Sequence, residues 1–204
     1  MKDANVLMVG VGGQGVILAS DGMAEIGMNN GYDVKKSDTL GMAQRGGSVV
    51  SHVRWGKQVF SPMIKKGEVD FLIGFEQLEA ARWVPYLRPG GVAIVSDVVV
   101  VPVSVVGGTT PYPSWDEIKK ILALRTDRIY LIPADKISAD VGNPRAQNMV
   151  LLGALSVFLE LESEAWTGAM RQRLPPKFVE SSVEAFLRGA DETRAFANVK
   201  ETKK

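Results

Sequence analysis

The chain opens with a short apolar run, Ala4-Asn5-Val6-Leu7-Met8-Val9, which has the length and composition of a buried strand. Four glycines follow within positions 10–15, and residues 14–29 then read as a helix. Gly31-Tyr32-Asp33 is a turn into a second strand, Val34 to Lys36, and the glycine-rich polar stretch 37–48 reads as a long functional loop. From Val49 to Trp55, Val49, Ser51 and Val53 alternate with Val50, His52 and Arg54, a strand pattern with one clearly apolar face. Gly56-Lys57 predicts a turn towards a short partner strand near Val59-Phe60. Val69 to Gly74 is a further strand, about Glu76 to Tyr86 a helix, Arg88-Pro89-Gly90-Gly91 a turn, and Val92 to Ser96 another buried strand. Val98 to Val106 is rich in β-branched residues but broken by Pro102, which predicts an edge or a hairpin. Ser114-Trp115-Asp116-Glu117 has the spacing of a capping box and opens a helix to about Leu124. Arg128 to Ile132 supplies one more strand, and the remainder is predicted helical over 134–140, 144–161, 163–172 and 176–197.

Strands alternating with helices, then a run of helices, predict an α/β fold: a doubly wound, mostly parallel, Rossmann-like sheet with a helical C-terminal segment, as one domain over 1–204. A hydrophobic content of 46% in 204 residues suits one well-cored domain. With 24 basic and 23 acidic residues the net charge is +1, which argues against a nucleic-acid or membrane-surface partner. No apolar run approaches the about 20 residues of a membrane span, and a strand this close to Met1 leaves no room for a signal peptide. The expectation is a soluble cytoplasmic protein. Cysteine is absent, which excludes a thiolate nucleophile and cysteine-held zinc or iron–sulfur clusters on this chain, and the single histidine, His52, excludes a histidine-rich metal site. No metal ligand and no catalytic residue is assigned.

Two glycine-rich segments carry the candidate chemistry. Gly10, Gly12 and Gly15 fit G-x-G-x-x-G, with Gly10 and Gly12 expected at positive φ in a tight turn, Gly15 expected at close helix–strand packing, and the first helical N–H groups forming an anion site. A nicotinamide role has less support, because the second strand ends in Lys35-Lys36 where an acid for the ribose is expected. Two lysines suit a 2′-phosphate, so NADP stays open. The second segment, Gln44-Arg45-Gly46-Gly47, would present a guanidinium and backbone N–H groups together to a phosphate or carboxylate. His52 lies on the polar face of its strand and reads as a surface residue, with Arg54 and Lys57 as a solvated edge. Pro144 is expected at the first position of a helix whose Gln147 and Asn148 amides could reach a neighbouring loop, and Asn143 reads as a cap or loop anchor. Met149 to Leu155 is apolar nearly all round, as in a helix buried within the fold or against a partner.

Gly10-Val11-Gly12-Gly13-Gln14-Gly15, then Gly41 to Arg54 with Gln44-Arg45-Gly46-Gly47-Ser48 and Val49-Val50-Ser51-His52, then Ser61-Pro62-Met63-Ile64, together resemble the gamma-type subunit of the 2-oxoacid:ferredoxin oxidoreductases. The indolepyruvate branch of that family is the nearest in pattern. Asp70 to Glu76, Asn148 to Leu155, and Ala185-Phe186 with Gly189 continue the resemblance in order along nearly the whole chain. It implies a subunit of an enzyme that oxidatively decarboxylates aryl pyruvates with CoA and ferredoxin, giving the arylacetyl-CoA and CO2. It further implies thiamine diphosphate and iron–sulfur clusters held by a larger alpha subunit, with ferredoxin reached through the complex. Gly12, Gly13, Gln14 and Gly15, with Gln44, Arg45, Gly46, Gly47 and Asn148, would then face substrate, the CoA phosphates or the partner subunit. The apolar surface meant for such a partner gives an isolated chain a route to self-association. Two other readings stay open at this stage: a stand-alone NADP- or flavin-binding protein, and a non-catalytic assembly subunit.

Overall fold

The computed structural model describes residues 3–41, 46–101 and 111–201. Their elements in chain order are β1 (Ala4–Val11), α1 (Val16–Asn29), β2 (Asp33–Leu40), β3 (Ser48–Gly56), β4 (Val69–Gly74), α2 (Gln77–Trp83) running into a 3-10 turn (Val84–Tyr86), and β5 (Leu87–Ser96). There follow α3 (Trp115–Ala123), β6 (Ile129–Ile132), α4 (Ala134–Asp140), α5 (Gln147–Ser156), α6 (Ser163–Arg173) and α7 (Pro176–Glu201).

The strands form one sheet in the order β2-β3-β1-β4-β5-β6. β1, β4, β5 and β6 are parallel neighbours, so the alternating strand–helix pattern does give a mostly parallel α/β sheet. β3 enters antiparallel between β1 and β2, with Leu7 opposite His52, and β2 pairs antiparallel with β3. Five of the six strands therefore point one way, and the carboxyl ends of β1, β2, β4, β5 and β6 share one edge of the domain.

Several expected boundaries move, each for a reason that lies outside the local sequence. Ser37 to Leu40 are strand rather than loop, because β3 supplies a ladder that the polar residues of β2 could not specify alone. Val59-Phe60 forms no strand. Arg88 to Gly91 lie within β5, whose register against β4 shifts between Val69 and Phe71. Val98 to Val101 are irregular, and the rest of that predicted edge lies outside the described residues. α5 starts at Gln147, so Pro144 precedes it rather than occupying its first position, and it ends at Ser156 rather than near 161. The capping box of α3 forms as expected: the Glu117 N–H donates to Ser114 Oγ, and the Ser114 N–H donates to the Glu117 carboxylate at 2.8 Å.

The core lies on both faces of the sheet. On one face α1, α5, α6 and α7 bury Met8, Val53, Trp55, Ile94, Trp166 and Phe186. On the other, α2 and α3 bury Leu7, Val9, Leu72, Leu87, Ile118 and Leu122. Each such side chain contributes roughly 1.5–3 kcal/mol. The apolar helix Met149 to Leu155 is covered within the chain, since every residue from Asn148 to Ser156 is buried. α7 closes over it at Gly153 and Gly189, where a Cβ would overlap the carbonyls of Phe186 and Val150. None of the helices among the described residues is long and apolar enough to cross a membrane.

Candidate functional site

At the carboxyl end of β1 the glycine segment makes a tight turn into α1. Its positive-φ residues are Gly13 (φ 109°) and Gly15 (φ 79°), not Gly10 and Gly12 as the pattern suggested. Gly10 is needed for space: a Cβ there would lie 2.7 Å from Phe75 Cβ and 2.9 Å from Gln14 Oε1. Gly15, the residue before α1, is left-handed and packs under Asn148, whose Nδ2 would sit 2.9 Å from a Cβ. Having no side chain, it leaves the first-turn N–H groups uncapped. Among the described residues, those of Val16, Ile17 and Leu18 find no backbone acceptor.

Gln14, which lines the same turn, also has a structural role. Its Oε1 accepts from the Val11 N–H at 2.8 Å and its Nε2 donates to the Phe75 carbonyl at 2.9 Å. The side chain thus clips the end of β1 to the end of β4. The second glycine segment arrives at the same place: the Gly12 N–H donates to the Gly47 carbonyl at 2.8 Å, and the Gly46 N–H to the Gly12 carbonyl at 3.5 Å. Gln44 and Arg45 lie outside the described residues.

Two adjoining clefts open on this turn. One, of about 460 Å³, runs from Gly13 and Gly15 to Val98, Val100, Arg145 and Asn148. The other, of about 340 Å³, runs from Gly12 and Gly13 to Leu40 and Val49. Arg145 was not singled out by its sequence context, yet it is exposed on the wall of the larger cleft and joins no hydrogen bond or ion pair among the described residues. A free guanidinium beside uncapped helical N–H groups makes a place for an anion. Asn148 is buried against Gly15 and its Oδ1 accepts from the Met149 N–H at 3.0 Å. Gln147 also lines this cleft and donates to the Asp135 carboxylate at 2.9 Å, and Asn143 anchors to Ser181 Oγ at 3.1 Å.

The far wall of the larger cleft is tied down by Glu76, a buried residue at the end of β4. Its Oε1 accepts from Tyr112 Oη and from the Val100 N–H at 3.3 Å, while Oε2 accepts from the Glu79 N–H at 2.9 Å. Burial, with the Glu76 carboxylate beside it, raises the Tyr112 phenol well above its usual range, so it stays a donor. At the end of β5, burial pushes the Asp97 carboxyl up, and its Oδ1 is buried with no hydrogen-bond partner among the described residues.

Three expectations change with the sheet order. Lys35 pairs with Asp33, and Lys36 with Asp21 (2.8 Å) and Asp38, on a strand separated from β1 by β3. They are neither free nor adjacent to the glycine turn, which removes the 2′-phosphate argument. His52 is 2% exposed rather than a surface residue. Its Nδ1 accepts from the Ile64 N–H at 3.2 Å, and burial lowers its pKa against the opposing pull of Asp38. Arg54 is no solvated edge: from the interior strand β3 it donates to Asn5 Oδ1 at 2.9 Å and to the Ser61 carbonyl at 3.0 Å. Lys57 is exposed, as expected.

With this geometry in place, a family model described as pyruvate ferredoxin/flavodoxin oxidoreductase matches residues 5–192. The chain is 34% identical over 202 residues to indolepyruvate oxidoreductase subunit IorB of Pyrococcus horikoshii, covering 98% of this chain and 100% of the relative. It is 36% identical over 187 residues to the subunit of the same name from Methanothermobacter thermautotrophicus, covering 91% and 95%. Among solved structures, it resembles the gamma subunit of a keto/oxoacid ferredoxin oxidoreductase from Geobacter sulfurreducens, with a TM-score of 0.70, 26% identity, and 94% and 99% of the two chains covered. The same fold recurs in a 2-oxoglutarate:ferredoxin oxidoreductase from Magnetococcus marinus that has coenzyme A bound. The TM-score there is 0.72 at 19% identity, over 96% of this chain but only 32% of that one.

Proposed function

The chain belongs to the pyruvate ferredoxin/flavodoxin oxidoreductase family, and on that premise we propose that it is the non-cluster subunit of an indolepyruvate:ferredoxin oxidoreductase acting in the cytoplasm. The observation that carries this reading is its end-to-end similarity to the indolepyruvate oxidoreductase subunit of Pyrococcus horikoshii. The reaction joins an aryl 2-oxoacid and CoA to give arylacetyl-CoA and CO2, with ferredoxin taking the electrons. In this reading 1–204 is one gamma-type domain.

The residues present do not suit the reaction's redox groups. With no cysteine in 204 residues, the chain offers no thiolate to an iron–sulfur cluster. The clusters therefore belong to a larger alpha subunit, which in this reading also carries thiamine diphosphate, and ferredoxin is reached through the complex. No proton or electron transfer is assigned to this chain.

What the chain contributes is a wall of the shared site. Gly13 and Gly15 allow a ligand to approach the backbone of the α1 start closely, and Asn148 holds that backbone in place. Gly12 and Gly47 join the second loop, with Gly46, to the same edge. Arg145 adds a positive charge on the open side. A CoA phosphate or a substrate carboxylate held there would be oriented towards chemistry on the partner subunit. Gln14 lines the larger cleft while its amide ties the end of β1 to the end of β4.

Coexpression with the larger subunit, followed by an aryl-pyruvate-dependent dye-reduction assay, tests the function. CoA-dependent reduction with indolepyruvate is the expected result. A copurified complex with no activity on any 2-oxoacid would overturn it in favour of a non-catalytic assembly role.

A further inference from the structure

Between β3 and β4 the chain runs from Lys57 to Glu68 without helix or strand. Such a segment ordinarily folds its large apolar side chains inward, since burial of each is worth roughly 1.5–3 kcal/mol. Here Val59 and Ile64 are buried, yet Phe60 between them is 86% exposed, the most exposed large apolar side chain among the described residues. Met63 beside it is 49% exposed.

The backbone of this segment is held from below. The Asp33 carboxylate accepts from the Val59 N–H at 2.8 Å. Arg54 donates to the Ser61 carbonyl at 3.0 Å and is itself steadied by Asn5. His52 accepts from the Ile64 N–H at 3.2 Å, and Ser61 Oγ from the Met63 N–H at 3.3 Å. Phe60 thus faces outward on a braced backbone. Lys57, Lys65 and Lys66 are exposed in the same segment and form no ion pair among the described residues, against one acid, Glu68.

We propose that Phe60, with Met63 beside it, is a preformed knob that docks this chain on the larger subunit, in an apolar socket rimmed by carboxylates. The proposal rests on the reading of the chain as one subunit of a two-subunit enzyme. Aromatic anchors in desolvated pockets dominate interface energies, and a knob already ordered in the free chain loses little entropy on docking. The three lysines specify an acidic rim and speed encounter. The knob stands at the amino end of β1 and the glycine turn at its carboxyl end. Eight residues separate them, about 27 Å, a distance one larger subunit can bridge.

The test measures Kd between the purified chain and the larger subunit. Phe60→Asp should weaken binding by about 30-fold or more without altering the melting temperature of the free chain. Phe60→Leu should stay within about threefold of wild type, and Lys65→Glu with Lys66→Glu should weaken binding and flatten its salt dependence. An active wild-type complex whose Kd is untouched by Phe60→Asp overturns the docking proposal and leaves the functional reading standing. So does loss of self-association in Phe60→Asp with an unchanged Kd, which assigns the knob to a second copy of the chain. A wild-type chain that does not bind the larger subunit overturns both.

Discussion

The two ends of β1 are held by the same device and finish as opposite shapes. At the carboxyl end the Gln14 amide clips Val11 to Phe75, and at the amino end Arg54, His52 and Asp33 pin the backbone of 59–64. In both, buried or half-buried polar side chains satisfy backbone groups that no ladder reaches. What differs is the side chains left on the outside. Gly12, Gly13 and Gly15 leave a hollow lined by N–H groups, whereas Phe60, Pro62 and Met63 leave an apolar projection. Local order is common to both ends, and glycine content decides which becomes a cleft and which a knob.

Gln14 holds the carboxyl end of β1 through two hydrogen bonds at once. Gln14→Leu deprives the Val11 N–H and the Phe75 carbonyl of their partners at once, and a loss of about 3 kcal/mol is expected in urea unfolding. Gly10→Ala should cost about 2 kcal/mol, by crowding Phe75 and Val16. Gly13→Ala meets open space and should cost only about 1 kcal/mol, from its positive φ. Equal losses at Gly10 and Gly13 would contradict that division between crowding and conformation. At the amino end, Arg54→Met should cost about 1 kcal/mol and expose residues 57–66 to limited proteolysis, leaving the glycine end protected.

The smallest effect is a pH dependence at His52. Its folded pKa lies below 6.5, so its contribution is fully present above pH 6.5 and is lost as pH falls through the folded value, where protonated Nδ1 can no longer accept from Ile64. His52→Gln should flatten the wild-type stability curve just below pH 6.5, measured by denaturant titration across pH 5–7.5.

Much of the architecture is local and was legible. Ser114 and Glu117 announce the start of α3, the apolar runs at 69–74 and 92–96 are strands, and the uniformly apolar Met149 to Leu155 is a buried helix. The glycine pattern located the turn into α1. What depends on distant pairing was not legible. Ser37-Asp38-Thr39-Leu40 reads as loop until β3 lies beside it, and His52 reads as surface until Ile64 and the 57–66 segment cover that face. The positive-φ positions moved from the first two of the four glycines, Gly10 and Gly12, to the last two, Gly13 and Gly15, in a turn where Gln14 folds back onto Val11. Arg145 carries no signal in its own neighbourhood. It becomes a candidate only when the start of α5 is brought against Gly13 and Gly15.

If the cleft at the carboxyl end holds an anion for the reaction, Arg145 is the charge that binds it. In the complex reconstituted with the larger subunit, Arg145→Ala should raise KM for CoA, or for the oxoacid whose carboxylate sits there, by about tenfold while kcat changes little, as expected for loss of one charge-assisted hydrogen bond. Unchanged kinetics for both CoA and indolepyruvate, in a complex that assembles normally, would contradict that role.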